Sequence, residues 1–145
     1  MKKNILIFSI ALVAIIALAL VLRFAISTPK EDFIVSGENY SGQASSEITV
    51  SNGGKVITKI PALKNETTKE ITMEPIDLKP GGIVVSYVDK NGKTHNDMQI
   101  DITPGETTMN HKLYLNVTEV KDDGTMIIDY SYSSPNGDEI SSQSN

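Results

Sequence analysis

From Ile5 to Ile26 the chain reads ILIFSIALVAIIALALVLRFAI, an uninterrupted apolar run with Lys2 and Lys3 before it and a single charge, Arg23, near its far end. A helix rises about 1.5 Å per residue, so this run would span roughly 33 Å, against a hydrocarbon core about 30 Å thick. Fifteen of its positions are Ile, Leu, Val or Phe. At about −0.3 to −0.6 kcal/mol each they favour insertion by about 6 kcal/mol in all. Arg23 opposes this by less than its midplane cost of about 3 kcal/mol, because a long side chain near a helix end reaches the headgroups. The run therefore predicts a transmembrane helix over 5–26. With the lysines ahead of it, residues 1–4 form a cytoplasmic stub and everything after the helix is extracytoplasmic.

Such a run has two other uses. Ala25 and Ser27 are small residues two apart, which suits signal cleavage near Ser27 and a secreted product. The run is longer than the 7 to 15 residues or so of a signal core, and Arg23 interrupts its approach to that site, so a retained signal-anchor is the expectation. A type IV pilin-like subunit also opens with a basic tip and a long apolar helix. The processing site of that family is absent, with Asn4 and Ile5 in its place.

All 18 acidic side chains fall after Ile26, whereas Lys2, Lys3 and Arg23 do not. The remainder therefore carries ten basic side chains and a net charge near −8, which argues against nucleic acid and against adhesion to anionic lipid. There is no cysteine. Disulfides, thiolate metal sites, a lipid-modified cysteine and a cysteine nucleophile are thereby excluded, and an exported domain of this size must rest on its apolar core. Sequons at Asn39, Asn65 and Asn116 are no more than this much Ser, Thr and Asn produces by chance.

Ser27 to Asp32 is a polar linker with Pro29 ending the helix, and 27–32 is assigned to it. Beyond it the hydrophobic period becomes two. Strands are expected at Phe33–Ser36, Glu47–Ser51, Lys55–Ile60, Thr68–Glu74, Gly82–Asp89, Thr94–Ile102, His111–Val120 and Thr125–Ser133, with no second helix. Residues 135–145 are Ser-rich and are expected to form a loose polar tail. Asn91-Gly92 as a tight turn pairs Ile83 with Ile100, Val85 with Met98 and Val88 with His95. Asp123-Gly124 as a tight turn pairs Leu115 with Tyr132 and Val117 with Tyr130, leaving Tyr114 outward. Asn52-Gly53-Gly54 admits two registers one residue apart, both keeping Ile48, Val50 and Ile57 inward. The prediction is an all-β ectodomain over 33–134, an antiparallel β-sandwich of seven or eight strands, with a small barrel as the alternative.

This hairpin rhythm resembles exported prokaryotic domains of the immunoglobulin-like or fibronectin type III-like kind. The resemblance also rests on Ile60-Pro61-Ala62-Leu63 and on Ser86-Tyr87-Val88-Asp89. Membrane-anchored sandwich subunits of the archaeal archaellum stator follow the same plan. The Cys and Trp of true immunoglobulin domains are missing, and no residue-level role is carried over.

No constellation of catalytic residues stands out, and no catalytic, cofactor-binding or metal residues are assigned. The loop Asp89–Lys93 lacks the acids an EF-hand aligned on Gly92 would need and reads as a turn; Asp89 with Asp97 is the looser calcium alternative. His95 and His111 fall on different hairpins, at expected surface positions. Asp97, Asp101, Glu119 and Asp129 could supply carboxylate pairs, as almost any acidic domain could. Neither a Gly-x-Ser-x-Gly nor a Gly-rich phosphate loop opening a helix occurs. Tyr114 alone is no sugar-stacking platform, and Tyr40 in its Gly-rich loop carries no signal. The expectation is therefore a single-pass, non-enzymatic module that contacts a membrane or envelope protein. The alternatives are a filament or stator subunit and a secreted carbohydrate-binding or hydrolytic domain.

Overall fold

The computed structural model describes residues 32–102, 105–135 and 139–142, so the expected stub, helix and most of the linker lie outside the described residues. Nine strands follow one another without a helix among the described residues: β1 Phe33–Asn39, β2 Ile48–Asn52, β3 Lys55–Ile60, β4 Thr67–Met73, β5 Ile83–Val88, β6 Thr94–Ile100, β7 Lys112–Val120, β8 Met126–Ser133 and β9 Glu139–Ser142. They form two separate sheets, β4-β1-β7-β8-β9 and β3-β2-β5-β6, an all-β, sandwich-like arrangement rather than a closed barrel.

Strict alternation explains why. Phe33 and Val35, Ile48 and Val50, Ile83, Val85 and Tyr87, and Leu113, Leu115 and Val117 all point inward and are buried, together with Ile60, Ile100, Ile128 and Tyr132. Gly37 takes an inward place on β1 because Ile60 of the other sheet fills it; a Cβ there would lie 2.8 Å from Ile60 Cδ1.

Four expectations are corrected. The tail is not loose throughout, because Glu139–Ser142 adds to β8 as a ninth strand. The pairing is not wholly antiparallel, since β1 runs parallel to β7. Nor is the strand order that of an immunoglobulin constant domain, in which the first two strands are neighbours. Here β1 and β2 belong to different sheets, although β2 does lie beside β5.

The fourth correction is to the hairpin registers. Both Asp-containing turns are three-residue loops ending in a left-handed glycine, Gly92 at φ 81° and Gly124 at φ 85°, rather than tight two-residue turns. Each loop slips the register by one, and a bulge in each hairpin then slips it again. In β5–β6 the bulge restores Val85–Met98 and Ile83–Ile100 as expected, while Tyr87 instead of Val88 meets His95. In β7–β8 the two slips add, so Leu115 meets Tyr130 and Leu113 meets Tyr132. A slip of two returns every side chain to its face, which is why Leu113, Leu115 and Val117 are inward although their partners differ. The β2–β3 hairpin contains both of the registers admitted above. Asn52 pairs with Lys55 across Gly53-Gly54, and beyond a bulge Val50 pairs with Thr58. Both glycines are left-handed, at φ 57° and 77°, as a type I′ turn requires.

Candidate functional site

The alternation that selects the core also selects its polar exceptions. One step beyond the inward apolar residues of four strands stands a polar residue of the same parity: Asn39 after Phe33, Val35 and Gly37; Asn52 after Ile48 and Val50; Asp89 after Ile83, Val85 and Tyr87; His111 before Leu113 and Leu115. All four are buried. A buried polar group must find partners, and each of these organises the segment beside it.

Asn39 gathers the Gly-rich loop. Its Nδ2 donates to the carbonyls of Gln43 at 2.8 Å and Leu63 at 2.9 Å, and its Oδ1 accepts from Ser41 N and Oγ. Gly42 N donates to Asn65 Oδ1 and Gln43 Nε2 to the Val120 carbonyl. Ser45 and Leu63 exchange two more bonds, Ser45 N to the Leu63 carbonyl and Leu63 N to Ser45 Oγ. A stretch that reads as a loop by composition is thus tied at almost every amide.

Asp89 closes the β5–β6 loop. Its Oδ1 accepts from Asn91 N and Lys93 N at 2.9 Å, and its Oδ2 lies 3.0 Å from His95 Nε2. The bond from His95, followed by the one from Lys93, holds the Asp89 carboxyl below its ordinary value near 3.8. His95 stacks on Tyr87 at 4.8 Å, and the Tyr87 hydroxyl donates to the Met126 carbonyl and accepts from Met126 N. This carboxylate is committed to its own hairpin, so the turn reading is the one its hydrogen bonds support.

His111 is not a surface residue. Its Nδ1 hydrogen-bonds the Tyr132 hydroxyl inside the core. Burial pushes the His111 imidazole below its ordinary 6.5, and burial pushes the Tyr132 phenol up to about 12. His95 is on β6, and His111 directly precedes β7 of the other sheet. Of the four carboxylates considered for paired chemistry, Asp97 is on β6 and Asp101 directly follows it, while Glu119 and Asp129 are on β7 and β8 of the other sheet. The four positions are thus divided between the two sheets. Among the described residues no group of three or more His, Asp or Glu is placed to hold a metal ion. Tyr114 is exposed as expected, Tyr40 more so, and Tyr130 is half-buried against the core.

What the sequence did not single out is a groove of roughly 840 Å³ beside β3. Asn52 builds one bank: its Nδ2 donates to the carbonyls of Lys79 at 3.0 Å and Gly82 at 2.7 Å, and its Oδ1 accepts from Lys79 N at 2.6 Å. This holds Lys79 over Gly53 at the β2–β3 turn. The opposite bank, the segment after β4, is fixed by Thr108, which accepts from Ile76 N through Oγ1 and donates its own N–H to the Ile76 carbonyl. The floor is Ile57, Met73 and Ile76, each partly buried against the core. Lys55 and Lys79 stand on the rim with Glu74 and Asp77. The only trace in the sequence is Asn52 itself, an inward-parity amide at a strand end.

Compared with known proteins, the chain matches no family model, no curated protein and no solved structure.

Proposed function

We propose that this protein is a single-pass membrane-anchored module whose two-sheet domain, immunoglobulin-like in its layering though not in its strand order, stands outside the cytoplasm and acts by contacting another protein of the membrane or envelope. The observation that carries this reading is the apolar run Ile5–Ile26, led by Lys2 and Lys3 and followed after only six residues by β1. Six residues reach about 20 Å at most, so the domain begins within that distance of the membrane and its partner is sought at the membrane or in a neighbouring envelope layer. A contact role also suits the use the domain makes of its titratable groups. Asp89, His95, His111 and Tyr132 are engaged in holding a turn or the core together, which is structural work.

Fractionation of cells expressing the full chain tests the reading. A protein that stays in the carbonate-washed membrane and keeps residues 1–4 supports it. A soluble product beginning near Ser27 overturns it in favour of secretion. Size in mild detergent separates the filament alternative, which requires large assemblies where the anchored module gives a monomer or small oligomer.

A further inference from the structure

We propose that the groove beside β3 is a peptide site: an extended segment of the partner lies antiparallel to β3, adds to the four-stranded sheet as an outer strand, and sets a carboxylate against Lys55 and Lys79. The inference deepens the contact role just described and rests on it. β3 is the end strand of its sheet, and among the described residues no ladder or turn bond closes its outer edge. Its row of N–H and C=O groups is therefore a template for another strand. Lys55, Val56 and Ile57 all line the groove. The bulge that leaves Ile57 without a partner on β2 brings three consecutive residues of this edge strand to the groove.

Charge and shape set the occupant. Val56 is 50% exposed and Ile57, Met73 and Ile76 form an apolar floor, which takes the alternate side chains of an extended peptide. Lysines usually guard such edges. Lys59 is drawn aside by an ion pair with Glu47 at 2.7 Å, leaving Lys55 and Lys79 together at the β2–β3 turn, where β3 begins. A strand antiparallel to β3 ends where β3 begins, so a carboxylate at or near its C-terminus meets these two lysines. That carboxylate is either an Asp or Glu side chain or the chain terminus. After Ile26 the chain carries a net charge near −8, whereas on this rim Lys55 and Lys79 offset Glu74 and Asp77, so the lysine end of the groove is where an acidic peptide end is admitted. The bulge at β3 keeps the added pairing short.

The test uses the full chain in detergent micelles, probed with a random peptide library displayed with free C-termini. The expected winners alternate apolar and polar residues and end acidic. They should bind the Val56→Lys and Lys55→Glu variants at least about tenfold more weakly, bind Tyr114→Ala unchanged, and slow amide exchange in Lys55–Ile57. Amidated copies that bind equally assign the carboxylate to a side chain, and amidated copies that fail assign it to the terminus. No enrichment over the Val56→Lys variant overturns the proposal, as does protection confined to other strands or a second copy of this chain on β3. Retention of the bait in washed membranes reports separately on the anchor, so loss of the anchored reading and loss of the peptide site are distinguishable.

Discussion

The loop from Tyr40 to Ser46 and the edge of β3 invert what their sequences suggest. The loop, YSGQASS, has the composition of a mobile connection, yet six of its seven amides find acceptors. Tyr40 and Ser45 use the carbonyls of Val117 and Leu63, Ser41 and Gly42 the side chains of Asn39 and Asn65, Gln43 the hydroxyl of Ser41 and Ser46 the sulfur of Met126. β3 is regular structure by its pattern, yet it leaves one edge of its backbone unpaired beside an apolar floor. Regularity and satisfaction are separate properties. A loop can be closed by one well-placed amide, and a strand can be open by position alone.

The largest effect expected from breaking this contrast is at Asn39. Asn39→Asp keeps the shape but turns an oxygen toward the carbonyls of Gln43 and Leu63 in a fully buried place. A loss of about 3 to 5 kcal/mol is expected, read as a lower urea midpoint with faster proteolysis after Tyr40. Gly37→Ala comes next, since its Cβ would collide with Ile60, which is locked in the core. About 1 to 3 kcal/mol is expected, measured the same way.

Smaller still is the pH dependence. His111 binds its proton less readily folded than unfolded, so stability falls as pH drops below about 6.5, and His111→Gln removes that upper part of the acid limb. Asp89 and Asp123 are held below 3.8 in the fold, in the case of Asp123 by its bond from Thr125 N. Their contribution is present above that value and is lost only as pH falls through and below it. At the other extreme, the Tyr132 hydroxyl near 12 makes stability fall as pH rises past 10. Urea midpoints across pH check all three windows. Val56→Lys should shift stability by no more than about 0.5 kcal/mol, because the residue touches water; a larger loss would mean that the β3 edge is part of the core after all.

The eight strands from Phe33 to Ser133 were legible because alternation alone chooses a face, and faces tolerate a register error of two. Leu115 is buried whether it meets Tyr132 or Tyr130. The turns were legible as turns but not in length, because Asp-Gly and Asn-Gly serve both two-residue and three-residue loops. Bulges leave no mark in the hydrophobic pattern, and neither does the parallel pairing of β1 with β7, which brings together strands far apart in sequence. Strand β9 was missed because Glu139 to Ser142 has little apolar content and only Ile140 marks a strand. Asn39, Asn52, Asp89 and His111 were readable by the same parity rule that found the core, extended by one step. The groove was not, because it depends on how the segment after β4 returns over the β2–β3 turn.

Hydrogen exchange on the full chain measures the contrast most directly. If the contrast holds, the amides of Tyr40, Ser41, Gly42 and Ser45 exchange as slowly as those of neighbouring β1, while the outward half of the β3 amides exchange freely. A fast-exchanging Tyr40–Ser46 loop, or a β3 protected on both edges without added peptide, would contradict it.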